Sequence, residues 1–390
     1  MTADESSAQT PDACFQGFDF GDASQPVAIA VSGGSDSLAL LHAAVNWAHG
    51  EGRTLVALTV DHGLRAGSRA EAGQVRALAA RLGVPHRILT WSENRAVQAD
   101  ARMGRHRLLA EAVRGSGGRW LLTGHTLDDQ FETMLMRARQ GSSWYGLGAM
   151  DPVSVSPAWP EGRGVMIARP FLTTRRSVLQ ARLIARGSTW IDDPSNADDR
   201  FERVRMRRLL QRSESLRRRV HRVHTALASL RQAERRRLGH LLTTTVEPLG
   251  QGQLAWTPGP LPCGTAQRLL SWLVQIAAGH DRPPAGDGLR AIVADLVPQR
   301  PFPARTLAGA WLLWTGTTLH LSRDPGLAAS APNPRHALWD GRFERHLNDR
   351  PYPSAAAIQR PLRPVLPPEP PAWRDLTVTR LQDLAWSLKS

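Results

Sequence analysis

Short apolar runs alternate with longer stretches of helical spacing through residues 26–140. Val27, Ala28, Ile29, Ala30 and Val31 form one uninterrupted run that stops at glycines, and Leu38, Leu41, Val45 and Ala48 then recur at the helical period. Further runs at 55–60, 85–91, 120–123 and 165–169 read as strands. Residues 36–48, 70–82, 99–113 and 128–139 read as helices, and Gly83 stands just beyond the second of them. This alternation predicts an α/β fold: a Rossmann-like parallel sheet of about five strands with helices on both faces. Sheets of this kind take ligands at the carboxyl ends of their strands. Three polar clusters, at 32–37, 61–65 and 125–129, fall at those ends.

Beyond the strands the pattern changes. Residues 141–164 are rich in Gly, Ser and Pro and read as a long loop, a common form for lids and binding loops. Residues 174–191 have helical spacing and run into the turn Asp192-Asp193-Pro194-Ser195-Asn196. An arginine-dense helical stretch covers 200–242, apolar helical segments follow over 269–297, and 306–321 alternate like a hairpin. The expected organisation is a polar N-terminal extension (1–25), the sheet domain (26–212), a smaller, mainly helical domain (213–328), and a Pro- and Ala-rich tail (329–390) of low order.

Composition narrows the partners. The chain carries 49 Lys plus Arg against 35 Asp plus Glu, a net charge of +14. Lys389 is the one lysine, so the excess is arginine. Such a balance favours a polyanion, most commonly nucleic acid. Cys14 and Cys263 form no CxxC pair, which argues against a zinc ribbon, an iron–sulfur cluster or a disulfide framework. No apolar run approaches the roughly 18 residues of a membrane span. The polar, acidic first residues do not resemble a secretory signal, so a cytoplasmic location is expected.

The cluster Ser32-Gly33-Gly34-Ser35-Asp36-Ser37 lies between a predicted strand and a predicted helix. Glycines allow close backbone approach to an anion, and hydroxyls and helix-start amides donate to phosphate oxygens. A serine-capped turn is the plainer reading of such a cluster alone. No GK[ST] follows, so this is not a Walker A loop. The hexapeptide resembles the PP-loop of the N-type ATP pyrophosphatases, which cleave ATP between the α and β phosphates and leave AMP on their substrate. Within that superfamily, Val60-Asp61-His62-Gly63-Leu64-Arg65 and the run Leu122-Thr123-Gly124-His125-Thr126-Leu127-Asp128-Asp129-Gln130-Phe131-Glu132-Thr133 resemble segments of the tRNA(Ile)-lysidine synthetase family. So do Arg102 to His106, with His106 where an aromatic is usual, Arg169-Pro170-Phe171-Leu172, and 190–196. Residues 201–207 match less closely, with Val204 in place of an asparagine. The similarity covers about residues 26–212.

The resemblance implies ATP and Mg²⁺ as cofactors, with Ser32, Gly33, Gly34, Ser35, Asp36, Ser37, Asp61 and His62 around the nucleotide. It implies an ATP-dependent ligation of free L-lysine to C2 of the wobble cytidine of tRNA(Ile), by way of an adenylated tRNA. The residue types agree. Asp36, Asp128 and Asp129 are hard oxygen ligands suited to Mg²⁺. Glu132 falls on the helix face of Asp128. His125 is placed to donate to the α-phosphate, and Arg102 and Arg105 share a helix face suited to phosphate. Arg203, Arg205, Arg207, Arg208, Arg212, Arg217, Arg218 and Arg219 are candidates to track RNA phosphates. The plainer readings are that Asp128 caps its helix and that the arginines form a solvated face. A PP-loop RNA thiolation enzyme, a glutaminase-coupled ligase and a non-catalytic nucleotide-binding module are the competing functions. The isolated cysteines speak against the first and the lack of a glutaminase-like nucleophile segment against the second. The carboxylate pair Asp128 and Asp129 speaks against the third.

Overall fold

The computed structural model describes residues 11–61, 68–91, 98–192, 198–250, 252–280, 283–326, 338–339, 343–345 and 373–389. His62, residues 193–196 and most of the Pro- and Ala-rich tail lie outside the described residues. The chain divides into two compact units: residues 1–156 with 165–233, and residues 157–164 with 234–389.

The first unit is built on a six-stranded sheet with the order β3-β2-β1-β4-β6-β5. Its strands are β1 (Val27–Ala30), β2 (Leu55–Asp61), β3 (His86–Thr90), β4 (Trp120–Leu122), β5 (Val153–Val155) and β6 (Met166–Ala168). Five are parallel, as the alternation predicts. Ile29 pairs with Ala57 on one side and with Leu122 on the other. The sixth, β5, runs antiparallel to β6 at the edge, with Ser154 opposite Ile167. It comes from the Gly-, Ser- and Pro-rich segment expected to be loop. Three residues at an edge need only one partner, so they carry no periodic signal of their own.

The helices are α1 (Ser35–Glu51), α2 (Ser68–Arg81), α3 (Gln98–Gly115), α4 (Leu127–Arg139), the short α5 (Trp144–Leu147), α6 (Arg176–Ala185), α7 (Glu202–Arg212) and α8 (Glu214–Thr245). Leu40, Leu41 and Ala44 are buried on α1, and Leu109, Ala110 and Val113 of α3 pack with Ala28, Val56, Leu121 and Ile167 of the sheet. The helix expected over 174–191 is limited to α6. The arginine-dense stretch is two helices, broken at Ser213, whose backbone is extended and whose hydroxyl accepts from the Leu216 amide (3.2 Å) to start α8. Residues 11–25 are not simply a polar extension. Phe15 stacks on Trp47 (4.7 Å), Phe20 packs edge-on to Trp120 (4.9 Å), and the Trp120 indole donates to the Phe20 carbonyl.

The second unit combines helices with a five-stranded antiparallel sheet, of which the sequence pattern announces only one hairpin. The strands are β7 (Val246–Gly250), β8 (Gln253–Trp256), β9 (Arg305–Leu307), β10 (Ala310–Trp314) and β11 (Leu319–Arg323), in the order β7-β8-β11-β10-β9. Trp256, Leu312 and Leu321 from the sheet pack with Leu269 and Leu273 of α9 (Cys263–Ala278) and Ile292 of α10 (Gly286–Leu296). The tail also contains the helix α11 (Leu376–Lys389), whose Leu381 and Leu388 join this core. The division between units falls inside α8, at residues 233 and 234, and not at 212. A continuous 32-residue helix presents no linker for a composition shift to mark. Among the described residues, no helix is long and apolar enough to cross a membrane.

Candidate active site

Strand order reverses beside β1, which has β2 on one side and β4 on the other. A crevice opens at the carboxyl ends of the strands at such a point. The loop after β1 and the loop after β4 both lie there.

The first loop is folded by its own residues. The Ser37 hydroxyl donates to the Gly34 carbonyl (2.9 Å) and accepts from the Ser32 amide (3.1 Å). Gly33 has φ +87, and a Cβ there would lie 2.5 Å from Ile191 Cδ1, so position 33 requires glycine twice over. The Ile191 amide donates to the Gly33 carbonyl (2.9 Å) and ties the segment after α6 to the loop. Gly34 is the N-cap of α1 and has no side chain to cap it. The first amides of α1, with their partial positive charge, are thereby left to a ligand anion.

The second loop is held against the first. A Cβ on Gly124 would stand 2.9 Å from the Asp36 carbonyl oxygen, so glycine lets the start of α4 approach the start of α1. Thr126 and Asp129 form a capping box on α4. Asp129 Oδ2 accepts from the Thr126 amide (2.8 Å) and hydroxyl (2.9 Å). Asp128 turns elsewhere and accepts, through Oδ2, from the Arg176 amide at the first turn of α6 (2.8 Å). Neighbouring aspartates on a helix point about 100° apart. One caps its own helix and the other caps α6.

Arg176 is the residue that the motif reading missed. Its Nε donates to Asp36 Oδ2 (2.8 Å) and its Nη2 to Asp129 Oδ1 (3.1 Å), while Nη1 lies 3.6 Å from Glu132 Oε1. The available signal was its place a few residues after Arg169-Pro170-Phe171-Leu172, at the start of a predicted helix. Glu132 is almost fully buried. It accepts from Arg207 Nε (2.7 Å), with Arg203 Nε 3.3 Å away. Arg203 and Arg207, candidate RNA ligands by sequence, are therefore engaged with the glutamate of α4. Arg205 donates to the carbonyls of Asp199 and Arg200. Arg208 pairs with Asp199, and Arg217 pairs with Glu214. Arg218 and Arg219 are exposed on α8.

The electrostatics follow from burial. Desolvation raises the carboxyl of Asp36 despite Arg176 beside it, and raises Glu132 despite its bond to Arg207. Asp129 is desolvated too, but the cations around it, Arg176 first, keep it below the usual carboxylate range. Desolvation, then repulsion by Arg169, pushes His125 down to about 3. The ring is neutral at pH 7. Its Nδ1 lies 3.0 Å from the Thr123 hydroxyl, and with that hydroxyl as donor, Nε2–H is the proton left to give. Desolvation, then Arg102, lowers His106 to about 4. Desolvation, then the neighbouring guanidinium, lowers both Arg102 (Arg203 beside it) and Arg105 (Arg102 beside it). Asp61 stands at the end of β2. It lines a cleft of about 360 Å³ with Arg69, Arg76 and Thr90.

Among the described residues, no three or more His, Cys, Asp or Glu side chains form a metal cluster. Asp36 and Asp129 nevertheless direct one oxygen each at a single cationic group. Two carboxylates sharing one cation position suit Mg²⁺, which usually takes one or two carboxylates and completes its shell with water and substrate phosphates.

The parallel sheet, the loop after β1 and the amides opening α1 define an ATP-binding domain of the PP-loop class. The family model described as a PP-loop domain matches residues 7–214. A tRNA(Ile)-lysidine synthase from Hyphomonas neptunium is 47% identical over 309 residues, 78% of this chain and 84% of that protein. The Caulobacter vibrioides tRNA(Ile)-lysidine synthase is 36% identical over 329 residues, 82% of this chain and 73% of the relative. Among solved structures, the U34-tRNA thiolase NcsA from Methanococcus maripaludis has 16% identity and a TM-score of 0.43, covering 54% of this chain and 75% of that one. The chain belongs to the tRNA(Ile)-lysidine synthase family.

Proposed function

We propose that this protein joins free L-lysine to C2 of the wobble cytidine of tRNA(Ile) in two steps, by way of an adenylated tRNA. The observation that carries the reading is the meeting of Asp36 and Asp129 on one cation position beside the uncapped start of α1. Amides and hydroxyls of 32–37 would hold the ATP phosphates. Asp36 and Asp129 would hold Mg²⁺, which when bound neutralises the triphosphate and stabilises departing pyrophosphate. Asp128, bonded to the amide of Arg176, would position α6. Glu132 would position α7 through Arg207.

In the first step the cytidine O2 attacks the α-phosphorus, the bond to the β-phosphate oxygen breaks, and pyrophosphate leaves. Arg102, Arg105 and neutral His125, through its N–H, would stabilise the charge that develops on the phosphates. In the second, a lysine amine attacks the activated C2, AMP leaves, and the amine gives up a proton. Asp61 would complete the nucleotide site from the end of β2. RNA would be held by the exposed arginines of α8, Arg218 and Arg219.

The test uses wild-type protein with ATP, Mg²⁺ and tRNA(Ile), lysine withheld. An acid-labile AMP–tRNA adduct should accumulate, and lysine added without fresh ATP should convert it to AMP and lysidine. Asp36→Asn should block the adduct. An adduct that ignores lysine would sink the ligation and favour another PP-loop chemistry, such as thiolation. No adduct from wild-type protein would sink the stepwise reading.

A further inference from the structure

One guanidinium stands where the two-step chemistry needs a divalent cation. Arg176 is 19% exposed, and Asp36 and Asp129 are 18% and 10% exposed, so the three charges sit together largely out of water. The oxygens available to a cation are few. Asp129 Oδ2 is committed to the amide and hydroxyl of Thr126. Its remaining oxygen, Oδ1, is the one that Arg176 holds (3.1 Å). Asp36 Oδ1 accepts from the Ser35 hydroxyl (3.2 Å), and its Oδ2 takes the Arg176 Nε–H (2.8 Å). A cation and this guanidinium therefore compete for the same two oxygens.

Two further interactions mean that neither the start of α6 nor Glu132 rests on the Arg176 side chain alone. The main chain of Arg176 is pinned separately, by its amide to Asp128 (2.8 Å), so the start of α6 stays on α4 whatever the side chain does. Glu132 does not depend on Arg176 either. It has Arg207 at 2.7 Å and Arg203 at 3.3 Å, and its approach to Arg176, at 3.6 Å, is the longest of the three. Removing the guanidinium with nothing in its place would leave two desolvated carboxylates facing each other, which is costly. Exchange for another cation avoids that penalty.

We propose that Arg176 is a positioning residue that competes with the divalent cation. It holds the carboxylate pair in the empty enzyme and yields it when ATP arrives with its metal. The pair thus takes the cation with the nucleotide and not ahead of it. The inference rests on the reading of Asp36 and Asp129 as cation ligands.

The test titrates the full-length protein with Mn²⁺ and follows free Mn²⁺ by EPR, without nucleotide and with α,β-methylene-ATP, which cannot be cleaved at the reacting bond. Without nucleotide, wild type should bind Mn²⁺ weakly, and Arg176→Met at least about tenfold more tightly, as removal of a competing state held nine-tenths of the time requires. Arg176→Lys should fall between, because one ammonium does not span both carboxylates as the planar fork does. Mn²⁺ should raise the melting temperature of Arg176→Met more than that of wild type. With α,β-methylene-ATP, wild type should bind Mn²⁺ tightly and Asp36→Asn should lose that binding. Equal nucleotide-free affinities in wild type and the position-176 variants would overturn the competition while leaving the cation site in place. If Arg176→Met does not fold, Arg176→Lys decides, and wild-type affinity there overturns it equally. Unchanged Mn²⁺ binding by Asp36→Asn with the nucleotide would instead remove the cation site, and the inference with it.

Discussion

Single residues at this site do work that their type alone does not reveal. Asp128 and Asp129 are adjacent and chemically identical, yet one accepts from the amide that opens α6 and the other caps α4 and meets Arg176. His106 is a second case. Desolvation, then Arg102, Arg169 and Arg105, lowers it to about 4. Its folded value lies below its unfolded value, so unfolding takes up a proton at any pH between the two. Its contribution to stability is complete above about pH 6.5 and is lost as pH falls toward 4. The loss should approach about 3 kcal/mol. Urea unfolding of wild type and His106→Gln at pH 7 and pH 4 should show a smaller drop in the variant. Equal drops would mean that the ring is not held neutral.

At the scale of elements, buried charge joins helices that already share an apolar cluster, Phe131 and Met134 of α4 with Leu210 of α7. Glu132 on α4 is 1% exposed and faces Arg207 and Arg203 of α7. Breaking a buried pair from one side leaves uncompensated charge and costs about 3–5 kcal/mol. Glu132→Gln keeps the shape and one acceptor but removes the charge. It should cost about 3 kcal/mol in chemical denaturation, and Glu132→Gln/Arg207→Met should recover part of that loss. Additive effects of the two changes would show that the pair does not couple α4 to α7. The break between α7 and α8 is also local. Ser213 leaves the helical conformation and its hydroxyl takes the amide of Leu216. Arginine-rich periodicity continues across it, so the hydrophobic and polar pattern gives no sign of the break.

For the whole molecule, the dominant quantity is a net charge of +14, carried by arginine. Burial and pairing sort those arginines. Arg203 and Arg207 are committed to Glu132, and Arg217 pairs with Glu214, whereas Arg218 and Arg219 are exposed on α8. If α8 follows RNA phosphates, Arg218→Ala/Arg219→Ala should weaken tRNA binding and lower the salt slope by about one for each phosphate no longer neutralised. Arg217→Ala should change it less, and ATP binding should be unaffected by either. Filter binding over a range of salt concentrations measures this, and an unchanged slope would make the run a solvated face.

The sequence alone determined whatever is decided within a few residues or by repeated pattern. The strand–helix alternation set the parallel sheet. The loop at 32–37 was legible because its bonds, Ser37 to Gly34 and to Ser32, close within six residues and need glycine at 33 for a positive φ. Tertiary structure alone decided the meetings across long separations. Arg176 reaches Asp36 over 140 residues and Asp129 over 47, and no local spacing records either pairing. The edge strand β5 and the five-stranded sheet of the second unit belong to the same class. Short strands acquire their identity from the neighbour they pair with, and a guanidinium acquires its role from the carboxylates that packing brings around it.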